Sequence, residues 1–162
     1  MSRGIELTQG FFTTVDDEDF ERLLQYKWHY HLGYARTNVT ISPGKQKTLL
    51  MHSLIMGVVE GLEIDHINGD GINNRKSNLR SVTHAQNTRN LGMRKKETSS
   101  MYKGVSWHTR MNKWMSYIRF NGEKRYLGYY EIEESAALAY NEAATLLFGE
   151  FARPNVLRIG GD

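Results

Sequence analysis

The chain has 162 residues, 40% of them apolar, with no cysteine and a formal net charge of +3. That length suits one or two small domains. The missing cysteines exclude disulfides and thiolate zinc sites, and no run of about 18 apolar residues offers a membrane span. The opening M-S-R-G-I-E-L-T lacks an apolar h-region, so a cytoplasmic protein without a secretory signal is expected. Charge is unevenly spread. Residues 1–88 carry nine Lys/Arg against ten Asp/Glu, residues 89–125 ten against two, and residues 126–162 two against six. A basic middle third with interleaved Tyr and Trp is an electrostatic footprint for a polyanion, a solvated loop being the plainer alternative.

In chain order, Ile5 to Val15 reads as two strands around a turn at Gln9-Gly10. A short helix follows from Asp16 or Asp17, with its acids at the positive N-terminal end and an apolar stripe of Phe20, Leu23 and Leu24. K-W-H-Y-H-L-G-Y-A-R-T-N-V reads as a bent strand pair turning at Gly33, and Ser42-Pro43-Gly44-Lys45 as a second turn. T-L-L-M-H-S-L-I-M-G is an apolar strand, or a strand running into a short helix. Periodicity does not separate the two. His29 and His31 alternate on one strand face and take no role. His52 reads as a partly buried strand histidine, with a phosphate contact as the alternative.

Glu63-Ile64-Asp65-His66 is a short alternating strand that ends on an acid and an imidazole. Asn68 to Asn78 is a polar loop of Asn, Gly, Asp and Ser. Leu79 to Thr83 reads as a second strand, and Thr83 caps a helix from His84 to about Leu91. Strand, loop, strand and helix bring Asp65, His66, Asn78 and Asn87 within reach of one another. A carboxylate and an amide carbonyl are hard oxygen ligands for Mg²⁺ or Mn²⁺. A neutral imidazole beside them can take a proton from water near pH 7, and an Asn carbonyl can hold its tautomer.

D-H-I-N-G-D, N-N-R-x-x-N-L-R and V-T-x-x-x-N resemble the ββα-metal core of phage-type HNH homing endonucleases. The likeness covers Glu63 to about Asn90 closely. It extends more loosely over Gly10 to Gly57, through Y-K-W, G-Y-A and M-H-x-L-I. The resemblance implies Asp65 and Asn87 as ligands of one divalent ion, His66 as general base and Asn78 as the residue that orients it. It also implies products with 5′-phosphate and 3′-hydroxyl ends. His84, one turn before Asn87 on the same helix face, is a competing ligand. At the family's His-Arg position, His52 is followed by Ser53 instead of Arg.

Residues 92–101 read as a basic linker. From Tyr102 to Asn155, Y-K-G-V-S-W-H, K-W-M-S-Y-I-R-F and E-K-R-Y-L-G-Y read as three strands, with a hairpin turn at Asn121-Gly122. An Ala-rich helix follows, closed by Gly149. Alternation puts Trp114, Ser116, Ile118 and Phe120 on the helix side, against Ala136, Ala139, Tyr140 and Ala143. It puts Met115, Tyr117 and Arg119 on the outer side, with Lys124 and Tyr126. This segment resembles the APETALA/ethylene-response-factor DNA-binding domain. By that resemblance Lys103, His108, Tyr117, Arg119, Lys124 and Tyr126 face DNA, and Arg110 meets phosphate. Ile132 stands where that family places a capping Thr or Ser.

The expected fold is α+β. It has an N-terminal ββα-metal nuclease domain (residues 1–91, core about 63–91), the linker, a three-stranded antiparallel sheet packed on one helix (102–155), and a tail (156–162). The expected function is a metal-dependent homing endonuclease cutting duplex DNA as a monomer or homodimer, phage- or prophage-encoded and working in host cytoplasm. The alternatives are a non-catalytic DNA-binding regulator and an RNA-directed nuclease.

Overall fold

The computed structural model describes residues 1–90 and 99–158. Most of the expected linker, and the last four residues of the expected tail, lie outside the described residues. The described residues form a mixed α/β structure with four small antiparallel sheets, and the chain divides into two compact units between Thr88 and Arg89. Among the described residues no helix is long and apolar enough to cross a membrane.

In the first unit β1 (Ser2–Glu6) pairs with β2 (Phe12–Asp16), and α1 (Asp17–Leu24) follows directly. A three-stranded sheet comes next, in the order β3 (His29–His31), β4 (Tyr34–Ser42), β5 (Lys45–Leu50). The ambiguous apolar stretch resolves into both readings, because β5 runs straight into α2 (Met51–Met56). His52 therefore lies on a helix rather than a strand, and it is buried. Ile5, Val15, Leu23, Trp28, Met51 and Leu79 are among the side chains that close one core. That core joins the N-terminal hairpin and α1 to the two-stranded sheet of β6 (Glu63–His66) and β7 (Leu79–Val82). α3 (His84–Asn90) follows β7. Thr83 caps it in a reciprocal box. Its hydroxyl accepts from the Gln86 N–H at 3.3 Å, and its own N–H donates to Gln86 Oε1 at 2.8 Å.

The second unit holds β8 (Val105–His108), β9 (Lys113–Phe120) and β10 (Glu123–Tyr130) in the order β10-β9-β8, with α4 (Glu133–Phe148) packed on one side. The helix presents Ala136, Ala137, Tyr140 and Ala144 to the sheet, so Ala137 and Ala144 take the innermost places rather than Ala139 and Ala143. Gly104, at φ +77°, makes the closest approach, since Tyr140's ring fills the space a Cβ would need. Ile132 is the N-cap and makes no side-chain capping bond. The stretch expected as a tail is in part packed. Leu157 joins the Tyr102 cluster, and the Arg158 N–H donates to the Tyr102 hydroxyl at 3.2 Å.

Candidate active site

β6 and β7 run antiparallel with Asp65 opposite Arg80 and His66 opposite Leu79. The loop between them is built by its own polar side chains. Asn68 Oδ1 accepts from the Asp70 N–H at 2.8 Å, and Asp70 Oδ1 accepts from the Ile72 N–H at 3.1 Å. Asn78 clips the two ends together. Its Oδ1 accepts from the Asn68 N–H at 3.1 Å, and its Nδ2 donates to the Asn73 carbonyl at 2.8 Å. The loop is also anchored outward. The Thr14 N–H donates to the Ile72 carbonyl at 3.0 Å, and the Asn74 N–H to the Thr14 carbonyl at 2.8 Å. Arg75 Nε and the Lys76 N–H share the Asp16 carboxylate, at 3.1 and 2.8 Å. Gly71 is a glycine of necessity, because Gly33's carbonyl and Tyr34's ring occupy the space a side chain would enter.

His66 is buried, and its Nε2 lies 3.2 Å from Asn74 Oδ1. The direction of that bond follows from the next two. Asn74 Nδ2 donates to Thr13 Oγ1 at 2.8 Å, and the Thr13 hydroxyl donates to the Ile72 carbonyl at 2.7 Å. Asn74 therefore turns its carbonyl oxygen to the imidazole. Nε2 carries the hydrogen, and the lone pair sits on Nδ1. Asn78 was expected to orient His66; both ends of its amide are bonded to the loop backbone, and the amide that meets the ring is that of Asn74. N-N-R contains Asn74, but nothing in the sequence shows which of its asparagines turns inward.

Burial pushes His66 below the usual imidazole range, against the pull of Asn74 and the nearby Asp65 and Asp70 carboxylates. His52 packs edge-on to it with ring centroids 5.0 Å apart, and Tyr34 stands 5.8 Å from each. Burial first, and the neighbouring His66 second, bring His52 down to about 4. Tyr34 also lines an open cleft of about 220 Å³ with Tyr30, Gly33, Asp70 and Gly71. Tyr34 is thus shared between the cleft wall and the histidine pair.

Asp65 is buried, and Arg80 pairs with it across the ladder. Asn87, on α3, donates its Nδ2 to Glu63 Oε2 at 2.5 Å. His84 Nδ1 lies 2.7 Å from the other oxygen, Oε1. The Asn87 amide first, and the His84 ring second, hold the Glu63 carboxyl below the usual carboxylate range. With its NH₂ turned to Glu63, Asn87 keeps its carbonyl oxygen as a possible ligand. The Asp65 carboxylate and the Asn87 carbonyl are each oxygen donors of the kind that suits a hard divalent ion. No group of three His, Cys, Asp or Glu residues that could hold a metal occurs among the described residues. Glu63 and Arg80 were not singled out from sequence. Glu63 sits two residues before Asp65 on the same strand face, and that period was the available signal.

In the second unit the β8–β9–β10 register puts Ser106 and His108 on the outer face with Met115, Tyr117 and Arg119. Lys124 and Tyr126 join them from β10. Lys124 Nζ lies 3.8 Å from the Tyr117 ring centroid and 5.0 Å from that of Tyr126. A bulge between Tyr126 and Gly128 shifts the alternation, so Tyr129 falls opposite Met115 and its ring meets His108 at 5.2 Å. Arg110 is exposed in the turn after β8. Lys103 departs from expectation. Its ammonium donates to the Arg89 carbonyl at 3.0 Å, and burial lowers its pKa. Arg125 escapes at the edge of the helix side, 5.0 Å from the Phe120 ring.

Residues 56–89 match the family described as HNH endonuclease. The chain is 35% identical over 153 residues to a protein of Acanthamoeba polyphaga mimivirus described as an uncharacterized HNH endonuclease, covering 91% of this chain and 76% of that one. It is 30% identical over 96 residues to Protein 3.8 of Escherichia phage T7, covering 59% of this chain and 78% of that one.

Proposed function

The chain belongs to the HNH endonuclease family, and from that premise we propose a homing-type enzyme whose active centre is Asp65, His66 and Asn87. It is a nuclease, and its substrate is DNA. The observation that carries the site assignment is the chain from His66 through Asn74 and Thr13 to the Ile72 carbonyl. A buried imidazole held in one tautomer and kept neutral is a general base ready to act near pH 7.

Asp65 and Asn87 would hold one divalent ion, Mg²⁺ or Mn²⁺. When bound there, the ion supplies charge stabilisation at the phosphorus oxygens and the leaving 3′ oxygen. His66 Nδ1 takes the proton of the attacking water, while Asn74 accepts from Nε2 and steadies the imidazolium that forms. Asn78 keeps the loop closed around the ring. Attack in line with the 3′ oxygen breaks the P–O3′ bond, the leaving oxygen takes a proton from solvent water, and 5′-phosphate and 3′-hydroxyl ends result. One site per chain nicks one strand, so a double-strand break requires a homodimer or two successive events.

The outer face of the β8–β10 sheet is read as the DNA reader, an APETALA/ethylene-response-factor-like module that enters the major groove. His108, Tyr117, Arg119, Lys124 and Tyr126 supply it, and Arg110 meets phosphate. Lys124 stands over the Tyr117 and Tyr126 rings beside Arg119, which supports contact with a polyanion over a merely solvated face. Lys103, engaged inward, leaves the set. Both relatives are viral, in keeping with a mobile gene.

The test is cleavage of supercoiled plasmid with Mg²⁺, Mn²⁺ or EDTA, beside His66→Ala. Metal-dependent open-circle product should fall by about 10²–10⁴ in the variant while DNA binding is retained. Cutting that survives His66→Ala, or that ignores EDTA, overturns the assignment.

A further inference from the structure

We infer that Glu63 is a positioning residue that turns the Asn87 amide so that its oxygen faces the metal. The inference rests on the reading of Asp65 and Asn87 as the ligands.

An asparagine amide presents either an acceptor or a donor to a cation, and only the acceptor binds it. Nothing in a free side chain chooses between the two, since rotation by half a turn exchanges them. A carboxylate placed against one end removes the choice, because it can only accept. Glu63 stands there, taking the Asn87 Nδ2 hydrogen on Oε2 at 2.5 Å. Its second oxygen is used as well, with His84 Nδ1 at 2.7 Å. The carboxylate thus grips two side chains one helical turn apart on α3 and cannot swing freely. Glu63 shares a strand face with Asp65 and reaches α3 from β6, so a single strand supplies one ligand and the brace for the other. His84 falls into place too. Its ring steadies Glu63 and is not the ligand that its spacing suggested.

The experiment is a Mn²⁺ titration of the full chain, following free Mn²⁺ by electron paramagnetic resonance. It compares wild type with Asp65→Ala, Asn87→Ala, Glu63→Ala, Glu63→Gln and His84→Ala. Glu63→Ala should bind Mn²⁺ roughly ten- to a hundredfold more weakly, the scale for losing a group that orients a ligand. Glu63→Gln should stay within about threefold of wild type, because its amide oxygen still accepts from Asn87. His84→Ala, which removes only the ring that steadies Glu63, should lose less affinity than Glu63→Ala. If Glu63→Ala fails to fold, Glu63→Met keeps the stem, removes the acceptor and carries the same expectation. Wild-type affinity in Glu63→Ala while Asp65→Ala and Asn87→Ala lose theirs overturns the inference alone. So does a Glu63→Gln as weak as Glu63→Ala, or a His84→Ala as weak as Asn87→Ala. Wild-type affinity in Asp65→Ala and Asn87→Ala overturns the ligand reading and this inference with it.

Discussion

Arg80 reaches the Oδ2 oxygen of Asp65 with two nitrogens, Nε at 2.9 Å and Nη2 at 2.8 Å. Both side chains are largely withdrawn from solvent, so the guanidinium is a principal counter-charge of the buried carboxylate. Taking it away costs on the order of 3–5 kcal/mol, the scale for breaking a buried pair. A divalent ion at Asp65 would replace the lost charge. Arg80→Leu should therefore be destabilised in EDTA and regain more stability from Mn²⁺ than the wild type does. Urea midpoints with and without Mn²⁺ measure both. Equal gains in the two proteins would speak against Asp65 as a ligand.

Asn74 and Asn78 should separate in their effects on the imidazole. Asn74→Asp keeps the shape but puts a negative charge against Nε2, which favours the protonated ring. The acid limb of the pH–rate profile should move to higher pH. Asn78→Asp changes a group bonded to the loop backbone, so its limb should move less. A profile for Asn74→Asp that overlays the wild type would remove Asn74 from its role.

His52 ties stability to pH. Its folded pKa of about 4 lies below the ordinary 6.5. Between those values the unfolded chain takes up a proton that the folded chain refuses. The contribution is fully present above pH 6.5 and is lost as pH falls toward about 4. From pH 7 to 5 this one group should cost about 2 kcal/mol. His52→Leu removes it, so the variant's urea midpoint should fall less over that range. A parallel fall in both proteins would mean that His52 does not titrate as described.

Lys124 and Lys103 offer a contrast in DNA binding. Lys124 lies on the outer sheet face above two tyrosine rings, whereas Lys103 gives its ammonium to a backbone carbonyl. Lys124→Ala should weaken duplex binding and lower the salt slope by about 1, as for the loss of one phosphate contact. Lys103→Met should leave the slope unchanged. Gel shifts across a salt series decide it, and the reverse pattern would place the DNA elsewhere.

The elements were legible because local signals made them so. The Thr83 box, the Asn121-Gly122 turn and the Gly149 stop each act within a few residues. The helix-side and outer faces of β9 followed from simple alternation. What escaped depends on longer range. Tyr129 joined the outer face only because a bulge reset the period of β10. Asn74 became the partner of His66 because residues 72–74 lie along β2, some sixty positions earlier, where Thr13 fixes the direction of the amide. Lys103, in the turn before β8, donates to a carbonyl that no pattern in the neighbouring residues reveals.

The signature that identifies this chain ends up larger in space than in sequence. Residues 56–89 carry the family match, yet Thr13 orients Asn74, Asp16 holds Arg75 and Lys76, and Glu18 takes the Lys76 ammonium at 2.6 Å. Transplanting the motif alone onto another scaffold would leave its loop without moorings and His66 without a fixed tautomer. The smallest portable unit begins at the N-terminal hairpin.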